Sequence, residues 1–142
     1  MSEQSLDRFL DAQNSGGMYA QALSELRAGK KQTHWIWYIF PQIRGLGMSD
    51  RALRFGIENR NEAKDYLAHP VLGARLHEVA QALLHLDTCD AVEIFGDLDA
   101  KKVRSSMTLF HCANPSDPLF RAVLDKFYQG ILDPCTLALI EN

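Results

Sequence analysis

Apolar residues recur along most of the chain at spacings of three and four, the period of an α-helix with one buried face. Alternating apolar and polar residues, which are typical of strands with one buried face, are scarce. The pattern therefore predicts an all-α fold of about seven to nine short helices. No internal repeat, low-complexity stretch or long linker interrupts it, so we expect residues 1–142 to form a single compact domain.

Capping residues and helix breakers place the ends of several predicted helices. Ser49, either Asn59 or Asn61, and Asp117 each precede a helical pattern, where a short polar side chain can accept a hydrogen bond from a backbone N–H. We expect Gly29 and Gly130 to end helices, because glycine readily adopts the left-handed backbone found there. Further predicted starts of helices are Ser5, Thr33 and Asp133.

The longest helix is predicted to have Pro70 in its first turn, where the missing N–H of proline costs nothing. An apolar stripe marks its buried face, made of Val71, Leu72, Leu76, Val79, Leu83 and Leu86. The segment 90–96, DAVEIFG, fits a short helix or a strand equally well, and Gly96 is expected to close it. A separate helix is predicted to start at Asp97 or Asp99.

Residues 35–40, WIWYIF, are six large apolar residues that stop at Pro41. Trp35 and Trp37 would lie about 200° apart around a helix, so a helix that buries both must be surrounded by protein. A buried indole also needs a hydrogen-bond partner for its N–H, and His34, Gln42 and Arg44 flank the segment. We interpret the segment first as a buried structural helix, with ligand contact through its tryptophans as the alternative.

The overall composition is ordinary for a globular protein, with 46% hydrophobic and 23% charged residues. The net charge of −3 argues against a nucleic-acid-binding protein, which usually carries a basic face. Such a face would need five cations together: Lys30, Lys31, Arg44, Arg51 and Arg54. No apolar run approaches the roughly 20 residues that cross a bilayer. The polar N-terminus resembles no export signal, so we expect a cytoplasmic location.

Cysteine and histidine spacing gives no sign of a metal or a cofactor. Cys89, Cys112 and Cys135 are too far apart for the close pairs of metal or redox motifs, so they are predicted to be reduced core thiols. The histidines lack the spacing of four that a helical metal pair needs. His34, beside the aromatic segment, is the histidine that we would test first for ligand binding.

Four stretches of the chain resemble the domain-of-unknown-function 1810 family, a group of small, mainly helical, mostly bacterial proteins. These stretches are THWIWYIFPQIRGLG at 33–47, HPVLGARL at 69–76, EIFGDLDAKKVRSSMTLF at 93–110 and VLDKFYQGILDPCTL at 123–137. They cover nearly the whole chain in family order. The resemblance implies a helical fold, with residues 35–40 as a helix, and it implies no reaction.

The loop after Pro41 is a candidate anion site. Gly45 and Gly47 let the backbone approach a ligand closely, and Arg44 supplies a positive charge. The amides that lead into the helix at Ser49 would favour a phosphate or a carboxylate. The alternative is that this glycine-rich loop is only a turn between helices.

The segment 99–111, DAKKVRSSMTLFH, is the second candidate. On a helix, Lys102, Ser105, Ser106 and Thr108 are close neighbours, so an ammonium group and hydroxyls could converge on an anion. A desolvated lysine could also activate a serine. The alternative is structural, with each hydroxyl bonded to the carbonyl four residues earlier and Asp99 paired with Lys102.

Together these segments predict a pocket for a small anionic ligand, phosphorylated or nucleotide-like. Trp35 or Trp37 would form an aromatic wall, while Arg44 and Lys102 would hold the charged group. The sequence specifies neither a reaction nor an oligomeric state, so an enzymatic role stays open. The alternative is a protein-interaction module whose polar groups are scattered and whose surface carries an exposed apolar patch.

Overall fold

The computed structural model of the protein describes residues 5–141, and within this range it contains α-helices and no β-strand. The helices are α1 (Asp7–Asn14), α2 (Met18–Arg27), α3 (Ile36–Ile39), α4 (Asp50–Phe55), α5 (Arg60–Ala68), α6 (Leu72–Leu84), α7 (Ala91–Ala113), α8 (Pro118–Tyr128) and α9 (Pro134–Glu141). A 3₁₀ turn over Ser15–Gly17 joins the first two helices. The predicted all-α fold is confirmed.

Helix α7 lies at the centre of the fold and packs against α3, α5, α8 and α9. Helix α6 packs against α2, α5 and α8 on another side of the molecule. Their buried side chains join one hydrophobic core, which extends from Phe9 in α1 to Leu124 in α8. The loop between α3 and α4 is tied to the segment before α5 by an isolated bridge between Ile43 and Ile57.

Helix α7 spans 23 residues but is divided at Gly96, and its second part, residues 97–113, is still longer than α6, so the prediction that the helix after Pro70 is the longest was wrong. Helix α6 has 13 residues and begins at Leu72, which leaves Pro70 outside its first turn. The ambiguous segment 90–96 is helical and forms the start of α7. Gly96 has φ 82° and ψ 170°, a backbone that other residues rarely adopt, and it divides α7 into residues 91–95 and 97–113. The predicted break at Gly96 and the predicted start of a helix at Asp97 or Asp99 are therefore confirmed.

Most of the predicted helix ends are confirmed, because each depends on a local hydrogen bond. Ser49 Oγ accepts from the N–H of Ala52 at 3.1 Å, and Asn59 Oδ1 accepts from that of Glu62 at 2.9 Å. Asp117 likewise accepts from the N–H of Leu119. The cap at Thr33 was wrong, because α3 begins at Ile36 and has no side-chain cap.

The cysteines were predicted to be core thiols, and this was wrong. Cys89 and Cys135 are exposed, Cys112 is partly buried, and all three are free. Cys89 lies in the connection before α7 and Cys135 in the first turn of α9, so neither occupies a helix face that packs on the core. Over residues 5–141 we find no helix with the length and apolar character needed to cross a membrane.

Candidate functional site

Trp35 is a structural residue at the start of α3. Its side chain is fully buried, and the indole N–H donates to Glu25 Oε1 at 2.9 Å. The flanking residues predicted as indole partners do not fill this role, and His34 is exposed to solvent. The need for a partner was predicted correctly, but the partner is a carboxylate ten residues earlier, on α2.

Glu25 organises the whole approach to α3. Its carboxylate accepts hydrogen bonds from the N–H groups of Gln32 and Thr33, at 2.6 and 2.9 Å, and from the Thr33 hydroxyl at 2.7 Å. Gln21 donates to Oε2 at 2.8 Å, the oxygen that also accepts from the Thr33 hydroxyl. Burial alone would raise the pKa of Glu25, but these donors outweigh it and lower the pKa to about 2. The carboxylate is therefore ionised and fully engaged in structure.

Trp37, on the same short helix, has different surroundings. It is only partly buried, so the prediction of a helix enclosed on all sides was wrong. The guanidinium carbon of Arg51 lies 4.8 Å from the centre of its ring system, and Lys102 Nζ lies 5.2 Å away. Cations at such distances are attracted by the electron-rich face of an indole. Two positively charged side chains therefore lie beside Trp37 at the edge of the core.

An open cleft of about 400 Å³ lies beside Trp37, and we call it the Trp37 cleft. One wall comes from the loop between α3 and α4, and the opposite wall comes from α7 and the start of α9. The lining residues are Trp37, Gln42, Leu46, Gly47, Met48, Ser49, Ala52, Leu98, Lys101, Lys102, Ser105, Asp133 and Cys135. The two candidate segments, about sixty residues apart in the chain, therefore meet in one cleft.

The charged groups of the Trp37 cleft are unevenly engaged. Lys102 Nζ lies 3.4 Å from Asp99, but the other carboxylate oxygen of Asp99 is paired more closely with Lys31, at 2.8 Å. Lys101 is exposed and makes no ion pair with any described residue. Asp133 Oδ2 already accepts from the Ser105 hydroxyl at 3.2 Å. Two ammonium groups therefore border the cleft: Lys102 shares its carboxylate partner with Lys31, and Lys101 has no such partner among the described residues.

Apolar side chains form the rest of this cleft and its rim. Met48 is 80% exposed and Leu98 is 74% exposed, the two largest values among the large apolar side chains of residues 5–141. Both line the cleft, together with Leu46 and Trp37. The site thus combines an apolar surface with two ammonium groups, an arrangement that suits a ligand with an apolar part and a negative charge.

The hydroxyls of α7 mostly serve structure, as the alternative interpretation held. Thr108 donates to the carbonyl four residues earlier. Ser105 shares its single O–H between the carbonyl of Lys101, at 3.1 Å, and the Asp133 carboxylate. Thr108 Oγ1 also accepts from the N–H of Asp133 at 2.9 Å, which ties the segment before α9 to α7. Ser106 is fully buried, and its hydroxyl has no hydrogen-bond partner among the described residues. Of the three, Ser105 lines the cleft.

The glycine loop takes its predicted place only in part, since Gln42 and Gly47 line the Trp37 cleft. Arg44 does not line the Trp37 cleft; its backbone N–H bonds to the carbonyl of Ile57 at 2.8 Å. Gly45 has φ 113° and lies close to Leu139 of α9, so it serves a turn and a tight contact. At the start of α4, the Ala52 amide already donates to the Ser49 side chain rather than to an anion. Lys102 therefore lines the Trp37 cleft, and Arg44 does not.

Among the other titratable groups in the described part of the chain, His77 has a structural role. His77 bridges the Gly73 carbonyl and the Asp117 carboxylate, each at 2.7 Å, and so links α6 to the start of α8. Burial lowers the pKa of His77, but these two acceptors raise it above its ordinary value. Within residues 5–141 no cluster of three metal-ligating side chains is present.

The chain matches, over residues 3–140, the sequence model of a family described as "Protein of unknown function (DUF1810)". It is also similar to the conserved hypothetical protein Rv1873 from Mycobacterium tuberculosis, whose crystal structure was determined at 1.38 Å. The two share 44% identity and a TM-score of 0.92, and the match covers 96% of each chain. No curated protein matches the sequence. The chain therefore belongs to the DUF1810 family.

Proposed function

We propose that this member of the DUF1810 family binds a small anion with an apolar part in the Trp37 cleft. The single observation that carries the proposal is that Lys101, Lys102 and Trp37 line the same cleft of about 400 Å³. Clefts of that size accommodate small molecules when a mostly apolar lining carries a few convergent polar groups.

The chemistry of the lining indicates the ligand class. Lys101 and Lys102 would contact a phosphate or carboxylate group, while Leu98, Met48 and the edge of Trp37 would contact a ring or a short apolar chain. A nucleotide or an aryl phosphate has both parts. We assign no reaction, since the carboxylate that lines the cleft already accepts hydrogen bonds from the protein.

A thermal-shift experiment with adenosine monophosphate, phenyl phosphate and inorganic phosphate tests the proposal. A ligand present at about 100 times its dissociation constant adds about 2.7 kcal/mol to the free energy of unfolding, so the midpoint should rise by several degrees. The two organic phosphates should stabilise the protein more than inorganic phosphate does, because only they reach the apolar wall.

The matched variants are the double change Lys101→Gln with Lys102→Gln and, as a control, Lys30→Gln with Lys64→Gln. Both pairs remove two positive charges, and the control lysines lie away from the Trp37 cleft. The cleft variant should lose the stabilisation by phenyl phosphate, and the control should keep it. Equal stabilisation of both variants would remove the support for this site.

The exposed apolar rim favours a second candidate, a protein-interaction module. Met48 and Leu98 together present apolar surface that a partner could cover. If this is the main role, no anion will stabilise the protein. A fluorescent apolar dye should then bind the parent, and a variant with Met48→Ser and Leu98→Ser should bind it much less.

A further inference from the structure

We propose a second binding site, in a cleft between α1 and α4, for a phosphate monoester that carries hydroxyl groups. The cleft has a volume of about 470 Å³, and we call it the arginine cleft. Its lining residues are Arg8, Asp11, Ala12, Ser15, Tyr38, Asp50, Arg51, Arg54 and Phe55. None of them lines the Trp37 cleft, although the guanidinium of Arg51 contacts the Trp37 ring at 4.8 Å.

Two arginines of α4 provide the positive charge. Arg51 and Arg54 are three residues apart on this helix, so their side chains project from neighbouring positions on one side. Each guanidinium lies near an aromatic ring, Arg51 at 4.8 Å from the centre of Trp37 and Arg54 at 5.4 Å from that of Phe55. This contact with a rigid ring limits the motion of both side chains before any ligand binds.

The donors of these two guanidinium groups are available to a ligand. Neither group forms a hydrogen bond or an ion pair with another residue in the described part of the chain, and both side chains border open space. The planar guanidinium presents its N–H groups in a fork that matches phosphate oxygens. Two guanidinium groups on one wall therefore favour a ligand that carries a phosphoryl group over a neutral polar ligand.

Arg8 lines the same cleft but has a different task. Its guanidinium donates to the carbonyls of Arg54 and Gly56, at 2.8 and 3.0 Å, and to Glu62 at 3.1 Å. The side chain is buried, and the ion pair with Glu62 neutralises its charge. Arg8 therefore fixes the end of α4, which positions Arg51 and Arg54 at the cleft.

The remaining lining explains why we infer a hydroxylated monoester rather than a polyanion. Asp11 and Asp50 place two carboxylates on the cleft, and these would repel a second anionic group. The same oxygens accept hydrogen bonds from hydroxyl groups, as does Ser15. Ala12 and Phe55 add apolar contacts for a carbon skeleton. A sugar phosphate combines these features.

Titration calorimetry with ribose 5-phosphate, ribose and inorganic phosphate tests this inference on the full-length protein. Ribose 5-phosphate should bind more tightly than either part alone, because only it reaches both the arginines and the carboxylates. A variant with Arg51→Gln and Arg54→Gln should lose at least about tenfold in affinity, as expected when charge-assisted hydrogen bonds are removed. Arg60→Gln with Lys64→Gln, which removes two exposed charges from α5, should leave the affinity unchanged.

Two further variants distinguish this site from the Trp37 cleft and from a purely electrostatic attraction. Asp11→Asn should reduce the ratio of the affinity for ribose 5-phosphate to the affinity for inorganic phosphate. If Asp11 acts only through its charge, the substitution should change both affinities by the same factor. The Lys101→Gln and Lys102→Gln protein should bind ribose 5-phosphate like the parent. If the double arginine variant unfolds, Arg54→Gln alone gives the same comparison. Absence of binding at about 10 mM ligand, or binding that the arginine changes do not weaken, would overturn the proposal.

Discussion

Trp35 and Trp37 lie two residues apart at one short helix, and yet they belong to different regions of the molecule. Trp35 is fully buried and donates its indole N–H to Glu25, which itself is engaged by the chain that leads into α3. Trp37 is partly exposed, attracts Arg51 and Lys102, and forms one wall of the Trp37 cleft. The helix thus turns one side to the core and the other to a candidate binding site.

The difference shows that an unbroken apolar run need not have one role. A helix apolar on all sides predicts burial on all sides only if other elements can cover every side. Here α3 has four residues, and α4 and α7 leave a cleft over one part of it. The two sides should therefore differ in their contribution to stability and in their response to a ligand.

Removal of each indole should give the largest contrast. Trp35→Ala leaves a large cavity and removes one of the hydrogen-bond donors to the buried Glu25 carboxylate, so it should lower the free energy of unfolding by about 3–5 kcal/mol. Trp37→Ala should cost about 1–2 kcal/mol, because the ring is partly exposed and contacts two solvated cations. Urea denaturation of the two variants measures both values. Equal losses would contradict the assignment of Trp35 to the core and Trp37 to the cleft.

Acid should lower the stability of the region around Trp35, because it protonates Glu25. The pKa of this carboxyl group is lowered from 4.5 to about 2 in the folded protein. Its contribution is therefore complete above the unfolded value and is lost as the pH falls from about 4.5 toward 2, which amounts to about 3 kcal/mol. Denaturation of the parent and of Glu25→Gln should show their difference in stability shrinking over this range. A difference that does not change with pH would contradict the role of Glu25.

The hydroxyls of α7 give a smaller contrast. Thr108→Val keeps the shape of the side chain but removes the acceptor of the Asp133 N–H, so it should cost about 1–2 kcal/mol. Ser106→Ala removes a buried hydroxyl without a partner among the described residues and should leave the stability unchanged within about 0.5 kcal/mol or raise it slightly. Thermal and urea denaturation can compare them. A larger loss for Ser106→Ala than for Thr108→Val would contradict the structural account of these hydroxyls.

Lys102→Gln should have the smallest effect on stability. Asp99 keeps its closer partner Lys31 in this variant, and Lys102 is partly solvated, so the change should stay within about 0.5 kcal/mol. The same variant should weaken stabilisation by phenyl phosphate. A loss of more than about 2 kcal/mol without any effect on anion binding would instead identify Lys102 as a structural ion.

The sequence predicted well the features that depend on neighbours along the chain. Ser49, Asn59 and Asp117 bond to amides two or three residues later, so their caps could be recognised from spacing alone. Gly96 was likewise recognised as a break, and its positive φ separates the two parts of α7. The all-α fold rests on many such local signals.

Features that depend on distant partners were harder to predict. Glu25 was missed, because a charged residue on α2 resembles an ordinary solvent-facing position until residues 32–35 fold back to supply its donors. Trp37 and Lys102 were predicted to lie close together, and they line the same cleft. Arg44 was expected to join them, but it does not line this cleft, and its backbone N–H bonds to the carbonyl of Ile57. Nothing in the sequence around Arg51 and Arg54 indicated that these residues would lie beside α1.

The most direct test of the central claim follows the two indole N–H signals by nuclear magnetic resonance during a titration with phenyl phosphate. The chain has two tryptophans, so each signal can be assigned with one substitution. We expect the Trp37 signal to move and to reach a plateau, while the Trp35 signal stays in place because its N–H remains bonded to Glu25. A fixed Trp37 signal at ligand concentrations that stabilise the protein would contradict the assignment of the ligand to this cleft.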